Sequence, residues 1–275
     1  MTLLPIRAQK AVAGLALFAA LLVTAPAWTQ PAWAQSTTPA AETVAQAVPM
    51  SREDIEKIVR ETIVKNPEIL QEALQELEKR ASADEDKRRR QALAANRELL
   101  INSPKSLVIG NPKGDVTVVE FFDYNCGFCK RALTDLIELV KTDSKLKVVL
   151  KDFPVLGDSS VQAATVALAA KLQANPAKYF EFHQKLMGGR GEATRERAMA
   201  VAKDVGFDMA RLTKDLASPD VMAALQENFR LAQDLGLTGT PSYVIGDDVV
   251  VGAVGLAKLQ DQIKAARAAC QGENC

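Results

Sequence analysis

The sequence predicts an α/β domain that is interrupted by a block of helices and preceded by a separate helical segment. Apolar runs typical of buried strands begin at Val116 and Val148, and a helical pattern lies between them. Residues 157–235 then have helical periodicity throughout. Two short strand-like runs, 242–245 and 249–251, and a helical pattern near 256–269 follow. The predicted order over residues 105–275 is therefore βαβ, a helical block, then ββα.

Composition excludes several classes of function. The 275 residues include 34 Lys and Arg and 34 Asp and Glu, so there is no excess of positive charge for a nucleic acid. Four cysteines are too few for a disulfide-dense scaffold, and the single histidine, His183, excludes a site with several histidine ligands. The chain has no glycine-rich phosphate loop. We therefore expect no cofactor and no resident metal, and we interpret His183 as a helix-packing residue.

Residues 1–34 have the pattern of an export signal. Arg7 and Lys10 precede an uncharged apolar run from Ala11 to Val23, which is short for a membrane span. The stretch ends in the small-x-small sequence Ala32-Trp33-Ala34, where we expect cleavage. The predicted location is the periplasm, and an uncleaved membrane anchor is the alternative. Export also places the cysteines where disulfides persist.

Residues 35–50 have no helical or strand period, and we interpret them as a disordered lead. Residues 51–81 are predicted to form two short helices: Ser51 and Asp54 form a capping box, and Asn66 caps a second helix with Pro67 at its first position. Two apolar stripes have helical spacing: Ile55, Ile58, Val59 and Ile63, then Ile69, Leu70, Leu74 and Leu77. A hairpin this short cannot bury both stripes by itself, so the stripes must dock on the rest of the chain or on copies of themselves. We expect self-association.

Residues 82–104 are predicted to form a charged helical linker. Three acidic residues, Asp84–Asp86, stand four positions before the basic residues Arg88–Arg90, which is the favourable order on a helix. A solvated spacer and a spacer that contains a hinge both fit this pattern.

The sequence Cys126-Gly127-Phe128-Cys129 lies where the predicted buried strand changes into a helix. A thiol at a helix N-terminus faces unpaired backbone N–H groups and the positive end of the dipole, so its thiolate is favoured. We expect Cys126 to be an exposed nucleophile and Cys129, one helical turn later, to resolve a mixed disulfide. A structural disulfide and half of a zinc site are the alternatives.

Gly239-Thr240-Pro241 precedes the predicted strand 242–245. Proline is tolerated at the start of a strand, and a cis bond in a tight turn would expose the preceding backbone to an extended peptide. An ordinary trans loop proline is the alternative.

These motifs together resemble the DsbA family of exported thioredoxin-fold proteins. The resemblance rests on Glu120-Phe121-Phe122-Asp123-Tyr124-Asn125 before the cysteine motif, and on Gly239-Thr240-Pro241-Ser242-Tyr243-Val244-Ile245 about 110 residues after it. It implies a thioredoxin fold with an inserted helical domain. It also implies that Cys126 attacks, Cys129 resolves, Pro241 is a cis-proline and the Thr240 backbone faces the site. Glu120 would be a buried acid that accepts the proton of Cys129; a solvent-facing strand residue is the alternative.

The dipeptide between the cysteines differs from that of DsbA itself, which has Pro-His there. Gly127-Phe128 cannot stabilise the thiolate as that histidine does, and this favours an isomerase or reductase over a strong oxidase. The N-terminal helices resemble those of ScsC-like and Com1-like members of the family, some of which oligomerise through this segment. The resemblance therefore implies a homo-oligomer, with a trimer preferred.

The predicted function is an exported protein thiol–disulfide oxidoreductase. Its expected partners are cysteine-containing exported proteins and a membrane redox partner that reduces or reoxidises the dithiol. A DsbA-like oxidase and a copper- or zinc-handling thiol protein are the alternatives. Cys270 and Cys275 are interpreted as a local structural disulfide; a second exchange pair and a metal site shared with the Cys126–Cys129 motif remain open.

Overall fold

The computed structural model describes residues 50–270, so the predicted signal segment, nearly all of the disordered lead, and Cys275 lie outside the described residues. The chain divides into two units, residues 1–61 and residues 62–275. In the described part of the chain, no helix combines the length and the apolar character that crossing a membrane requires.

Helix α1 (Arg52–Lys65) begins in the first unit. The Asp54 backbone N–H donates to Ser51 Oγ at 3.1 Å, and the Ser51 N–H donates to the Asp54 carboxylate at 3.2 Å. This reciprocal pair confirms the predicted capping box. Ile55 and Ile58 of the first apolar stripe are about half exposed.

In the second unit, the junction before helix α2 (Glu68–Ile101) differs from the prediction. Pro67, not Asn66, occupies the N-cap position of α2, and no side chain caps this helix. The Asn66 side-chain amide donates backward to the Thr62 carbonyl at 2.8 Å, where it satisfies an acceptor at the end of α1. Asn66 therefore closes the helix before it rather than starting the one after it.

Helix α2 is a single helix of 34 residues, so the prediction of a short second helix followed by a separate linker is wrong. No glycine or proline interrupts residues 68–103, and pairs such as Arg89–Glu85, 2.7 Å apart, support its charged middle. Its last turns are not solvated, because Leu93 and Leu100 are buried. The predicted linker 82–104 is therefore the middle and end of α2, followed by a short loop.

Within the described residues, one sheet has the strand order β1-β3-β2-β4-β5. Strands β2 and β3 are parallel, and the other neighbouring pairs are antiparallel. The strands are β1 (Leu107–Gly110), β2 (Val116–Phe122), β3 (Leu146–Asp152), β4 (Ser242–Ile245) and β5 (Asp248–Val251). Helix α3 (Gly127–Thr142) connects β2 to β3. The predicted α/β order is confirmed from β2 to the last helix, and β1, which the predicted order did not include, precedes it.

The inserted helices lie between β3 and β4 in the chain, and α9 (Leu256–Ala269) follows β5. They are α4 (Asp158–Lys171), α5 (Pro176–Met187), α6 (Arg195–Val205), α7 (Met209–Asp215) and α8 (Pro219–Asp234).

Strand β2 carries the site and is buried on both faces, as its continuous apolar run predicts. Val118 and Phe122 belong to one apolar cluster, which includes both motif cysteines, and Val119 and Phe121 belong to another, which includes Leu93 and Leu100 of α2. Alternate side chains of a strand point to opposite faces, so helices cover β2 from both sides. Burying each large apolar side chain stabilises the fold by about 1.5–3 kcal/mol before entropy is subtracted.

Candidate active site

Cys126 is the N-cap residue of α3, with the extended backbone angles φ −75° and ψ 116°. The helix begins at Gly127, and the Lys130 N–H donates to the Cys126 carbonyl at 3.0 Å. Both motif cysteines are free thiols. The sulfur of Cys126 therefore lies at the positive end of α3, where a thiolate is stabilised by the helix dipole and the unpaired N–H groups.

The fold brings Cys126 against the loop before β4. Its thiol donates to the Thr240 carbonyl at 3.2 Å, and the Thr240–Pro241 peptide bond is cis. Because the thiol packs against this loop, Cys126 is only 6% exposed, and the expectation of an exposed nucleophile is wrong. A Cβ built on Gly127 would meet no atom within 4 Å, so the position next to Cys126 in the chain borders open space.

Cys129 lies deeper, with 2% of its surface exposed. Burial raises the pKa of its thiol well above the usual range, and the negative charge of Glu120 raises this pKa further. In the folded protein Cys129 is therefore a thiol near neutral pH, and a reaction at its sulfur needs a group that takes the proton.

Glu120 lies in the middle of β2 and is 3% exposed, so the alternative of a solvent-facing residue does not hold. It stands directly opposite Tyr243 of β4, whose hydroxyl donates to Glu120 Oε1 at 3.4 Å. The second oxygen, Oε2, is buried and has no hydrogen-bond partner among the described residues. Burial raises the pKa of this carboxyl to about 8, although the Tyr243 hydrogen bond opposes the shift.

Asp123 organises the loop before the motif, a role that we did not predict. Its Oδ1 accepts hydrogen bonds from the Asn125 N–H and the Ser160 hydroxyl, both at 2.7 Å. Its Oδ2 accepts from the backbone N–H groups of Val155 and Leu156 at 2.9 and 3.0 Å. One buried carboxylate thus connects the motif to α4 and to the loop after β3. The feature of the sequence that could have indicated this role is the position of Asp123, an acidic residue directly after an apolar strand.

Asn125, adjacent to Cys126, contacts the inserted helical block. Its side-chain oxygen accepts from the Ala193 N–H at 2.7 Å, and its amide nitrogen donates to the Ala193 carbonyl at 3.2 Å. The insertion therefore holds the residue that precedes the first cysteine. These contacts depend on residues about 70 positions apart in the chain, so no local pattern could predict them.

His183 lies in α5 within the apolar core. Its Nδ1 is 3.2 Å from the Tyr124 hydroxyl, and its ring packs edge-on to Phe122. Burial lowers its pKa to about 3, so the ring is neutral. These contacts agree with the interpretation of His183 as a packing residue.

Cys270 stands at the C-terminal end of α9 and is disulfide-bonded. Its predicted partner, Cys275, lies outside the described residues, so the pairing between them stays a prediction.

Two parts of the chain match known families. Residues 117–264 match the DSBA-like thioredoxin domain, and this range includes the cysteine motif, Glu120 and Pro241. Residues 52–83 match the N-terminal domain of copper resistance protein ScsC.

Solved structures agree with these matches. A thioredoxin-like oxidoreductase from Silicibacter pomeroyi DSS-3 is 44% identical, with a TM-score of 0.61 over 64% of this chain and 99% of its own. ScsC of Proteus mirabilis in a transitional conformation is 31% identical, with a TM-score of 0.60 over 79% of this chain and 97% of its own.

Among curated proteins, the Na⁺/H⁺ antiporter NhaA 1 of Salinispora arenicola is 25% identical over 145 residues. This stretch is 53% of the present chain and only 22% of the antiporter, so the chain spans about a fifth of that relative. The family match and the two solved structures together show that the fold is a thioredoxin fold with an inserted helical domain, and that the chain belongs to the DsbA family as an ScsC-like thiol–disulfide oxidoreductase.

Proposed function

We propose that this protein is a periplasmic disulfide isomerase or reductase that acts through Cys126 and Cys129 on cysteine-containing exported proteins. The observation that carries the proposal is the position of Cys126: a free thiol at the N-cap of α3, 3.2 Å from the Thr240 carbonyl. A thiol in this position has both an activating dipole and a backbone segment, Thr240–Pro241, for a substrate strand to contact.

The exchange proceeds in two steps. The Cys126 thiolate attacks a sulfur of the substrate disulfide, the substrate S–S bond breaks, and one substrate sulfur leaves as a thiolate. Glu120 then accepts the Cys129 proton, and the Cys129 thiolate attacks Cys126 to form the intramolecular disulfide and release the second substrate sulfur. In isomerisation, a substrate thiolate attacks the mixed disulfide instead, and Cys126 is returned reduced.

The residues between the cysteines support the isomerase or reductase direction. Gly127 has no side chain, and the Phe128 ring has no hydrogen bond to offer a thiolate; instead it stacks with the Arg131 guanidinium, 4.3 Å from the ring centroid. The two residues between the cysteines therefore supply no charge and no hydrogen bond to a Cys126 thiolate, which disfavours a strongly oxidising dithiol. A DsbA-like oxidase is the second candidate, and a reduction potential measured against glutathione separates the two.

A copper- or zinc-handling thiol protein is the third candidate, and the ScsC N-terminal match favours considering it because that family is named for copper resistance. Two free thiols in one site could bind Cu(I). Metal content of the purified protein, with thiol titration before and after chelation, tests this candidate.

We further propose that the chain is a homo-oligomer, with a trimer preferred, and that a membrane partner keeps the dithiol reduced. The exposed stripes of α1 and α2 and the ScsC N-terminal match support self-association. The proposed organisation is a signal peptide over residues 1–34, a lead over 35–50, a helical oligomerisation segment over 51–81, a charged stretch over 82–104 in which α2 continues and ends, and a catalytic domain over 105–275.

Refolding of a substrate with scrambled disulfides tests the function. We expect the wild-type protein to restore substrate activity, Cys126→Ala to abolish this, and Cys129→Ala to keep partial shuffling but lose net reduction. Cys270→Ala is the matched control, since it removes a sulfur outside the site, and it should keep activity. Equal activity of wild type and Cys126→Ala would refute the proposal.

A further inference from the structure

Strands β2 and β4 place two buried polar side chains opposite each other beneath the cysteines. Glu120 and Tyr243 are direct cross-strand neighbours, and each is at most 3% exposed. The Tyr243 hydroxyl is 3.4 Å from Glu120 Oε1. Side chains directly opposite in an antiparallel pair have Cβ atoms about 4.5–5.5 Å apart, so the register itself holds the two groups together.

The two oxygens of Glu120 are not equivalent. Oε1 accepts the Tyr243 hydrogen bond, whereas Oε2 is buried and has no partner in the part of the chain that the structure describes. A buried carboxyl oxygen without a hydrogen bond is costly, and a catalytic role is one of the reasons for which native proteins retain such a group. The unpartnered Oε2 is therefore the atom that can gain and lose a proton.

Electrostatic interactions couple this pair to the second cysteine. Burial is the largest cause of the raised pKa of both the Cys129 thiol and the Tyr243 hydroxyl. The charge of Glu120 raises the pKa of Cys129 further, and the charges of Glu120 and Cys129 raise the pKa of Tyr243 further. Tyr243 consequently keeps its proton and remains a donor. Tyr243 and Cys129 belong to the apolar cluster that also contains Cys126, and Glu120 is buried beside Tyr243.

We propose that Tyr243 is a positioning residue of the exchange site: by donating to Glu120 Oε1, its hydroxyl orients the carboxyl and leaves Oε2 to exchange a proton with Cys129. This inference rests on the proposed function. In the resolving step the Cys129 S–H bond breaks, its proton moves to Glu120 Oε2, and the Cys129 thiolate displaces the substrate thiolate from Cys126. In the reverse direction the proton returns from Oε2 to Cys129.

A stopped-flow experiment separates the two thiols. The reduced full-length protein is mixed with dithiobis(nitrobenzoate), which releases one coloured thiolate when Cys126 attacks and a second when Cys129 resolves the mixed disulfide. Tyr243→Phe removes only the hydroxyl. Because that hydroxyl favours the charged carboxylate, its loss should move the pH profile of the second phase upward and slow this phase about 3- to 10-fold near pH 7. The first phase should change less than about twofold.

Two further variants show whether Tyr243 acts through Glu120. In a Glu120→Gln background, Tyr243→Phe should have no added effect on the second phase, because the proton acceptor is already absent. Tyr179→Phe is the matched control, since it removes a hydroxyl from a tyrosine that is also 2% exposed but lies in α5; the second-phase profile should not move.

The outcomes are distinct. A second phase that Tyr243→Phe leaves unchanged, or changes equally in the Glu120→Gln background, overturns the role of Tyr243 alone. Absence of a fast first phase in the wild-type protein overturns the proposed function as well. If Tyr243→Phe does not fold, an infrared difference spectrum between wild type and Glu120→Gln tests the proposal instead. It is recorded below the Glu120 pKa of about 8, where the carboxyl is protonated and has a carbonyl stretch. A carbonyl stretch at the hydrogen-bonded position supports the proposal, and one at the free position overturns it.

Discussion

The ammonium group of Lys151 lies 3.4 Å from Glu227 Oε1, and neither side chain is more than 5% exposed. The same ammonium donates to the Leu99 carbonyl at 2.7 Å, so β3, α8 and the last turns of α2 meet at one buried charge. Glu227 also accepts hydrogen bonds from the Ser103 hydroxyl and, at 2.9 Å, from Lys105 Nζ. This cluster attaches the end of α2 to the catalytic domain.

We expect Glu227→Gln to lower the free energy of unfolding by about 3 kcal/mol, because it leaves the Lys151 charge buried without its partner. Urea denaturation measures the change. Glu76→Gln is the matched control: it breaks the exposed Arg80–Glu76 pair, and an exposed pair four residues apart contributes about 0.3–0.5 kcal/mol. Equal effects of the two substitutions would contradict the assignment of Glu227 as an anchor.

The buried carboxyl of Glu120 should make the stability of the reduced protein depend on pH. Its pKa is raised from 4.5 to about 8, so the folded protein binds the proton more tightly than the unfolded chain does. This contribution is complete below about pH 4.5 and is lost as the pH rises through about 8. As the pH rises between these limits, the free energy of unfolding should therefore fall less for Glu120→Gln than for wild type, and the difference should be about 2–4 kcal/mol.

Thermal unfolding at the two ends of this pH range checks the prediction. Asp152, whose pKa burial also raises to about 8, contributes in the same direction, so Glu120→Gln should reduce the pH dependence without abolishing it. Asp152→Asn serves as the comparison variant. A pH dependence identical in wild type and Glu120→Gln would show that Glu120 does not titrate in this range.

The sequence was informative wherever a local pattern decides the structure. The apolar run of β2 predicted a strand buried on both faces, and the position of Cys126 between strand and helix predicted an N-cap thiol. Glu120 and the Thr240–Pro241 bond were placed by family resemblance, and the structure brings both to the cysteines.

Long-range packing decided what the sequence could not show. The charged middle of α2 resembles a solvated linker, yet the helix continues until Leu93 and Leu100 pack on the sheet, about 130 residues in sequence from their α8 neighbour Leu231. The burial of Cys126 depends on a loop 114 residues away. The role of the Tyr243 hydroxyl could not be predicted either, because it depends on a contact with Glu120 across the sheet, and an aromatic residue in a strand ordinarily indicates packing.

We expect Asp123→Asn to destabilise the loops around the motif. The substitution replaces an acceptor-only carboxylate with an amide, so its nitrogen would face donors such as the Val155 and Leu156 N–H groups. The expected loss is about 2–3 kcal/mol of unfolding free energy, measured by urea denaturation. Asp158→Asn, in the exposed first turn of α4, is the control and should cost less than about 1 kcal/mol. Equal losses would refute a special role for Asp123.

Replacing exposed apolar residues of α2 should dissociate the proposed oligomer without unfolding the catalytic domain. Leu74 and Leu77 are about 60% exposed and belong to no buried apolar cluster of the described residues, so Leu74→Glu with Leu77→Glu should leave the core intact while it places charges in any interface between copies. Sedimentation should show an oligomer for wild type and a monomer for this variant. The control, Gln71→Glu with Gln75→Glu, adds the same charge at neighbouring polar positions and should stay oligomeric.

The monomeric variant should keep dithiol exchange but lose most isomerase activity. In an oligomer, several active sites are held together, which raises their effective concentration at a single misfolded substrate. A monomeric wild type would contradict the oligomer, and a monomeric variant with full isomerase activity would contradict its link to function.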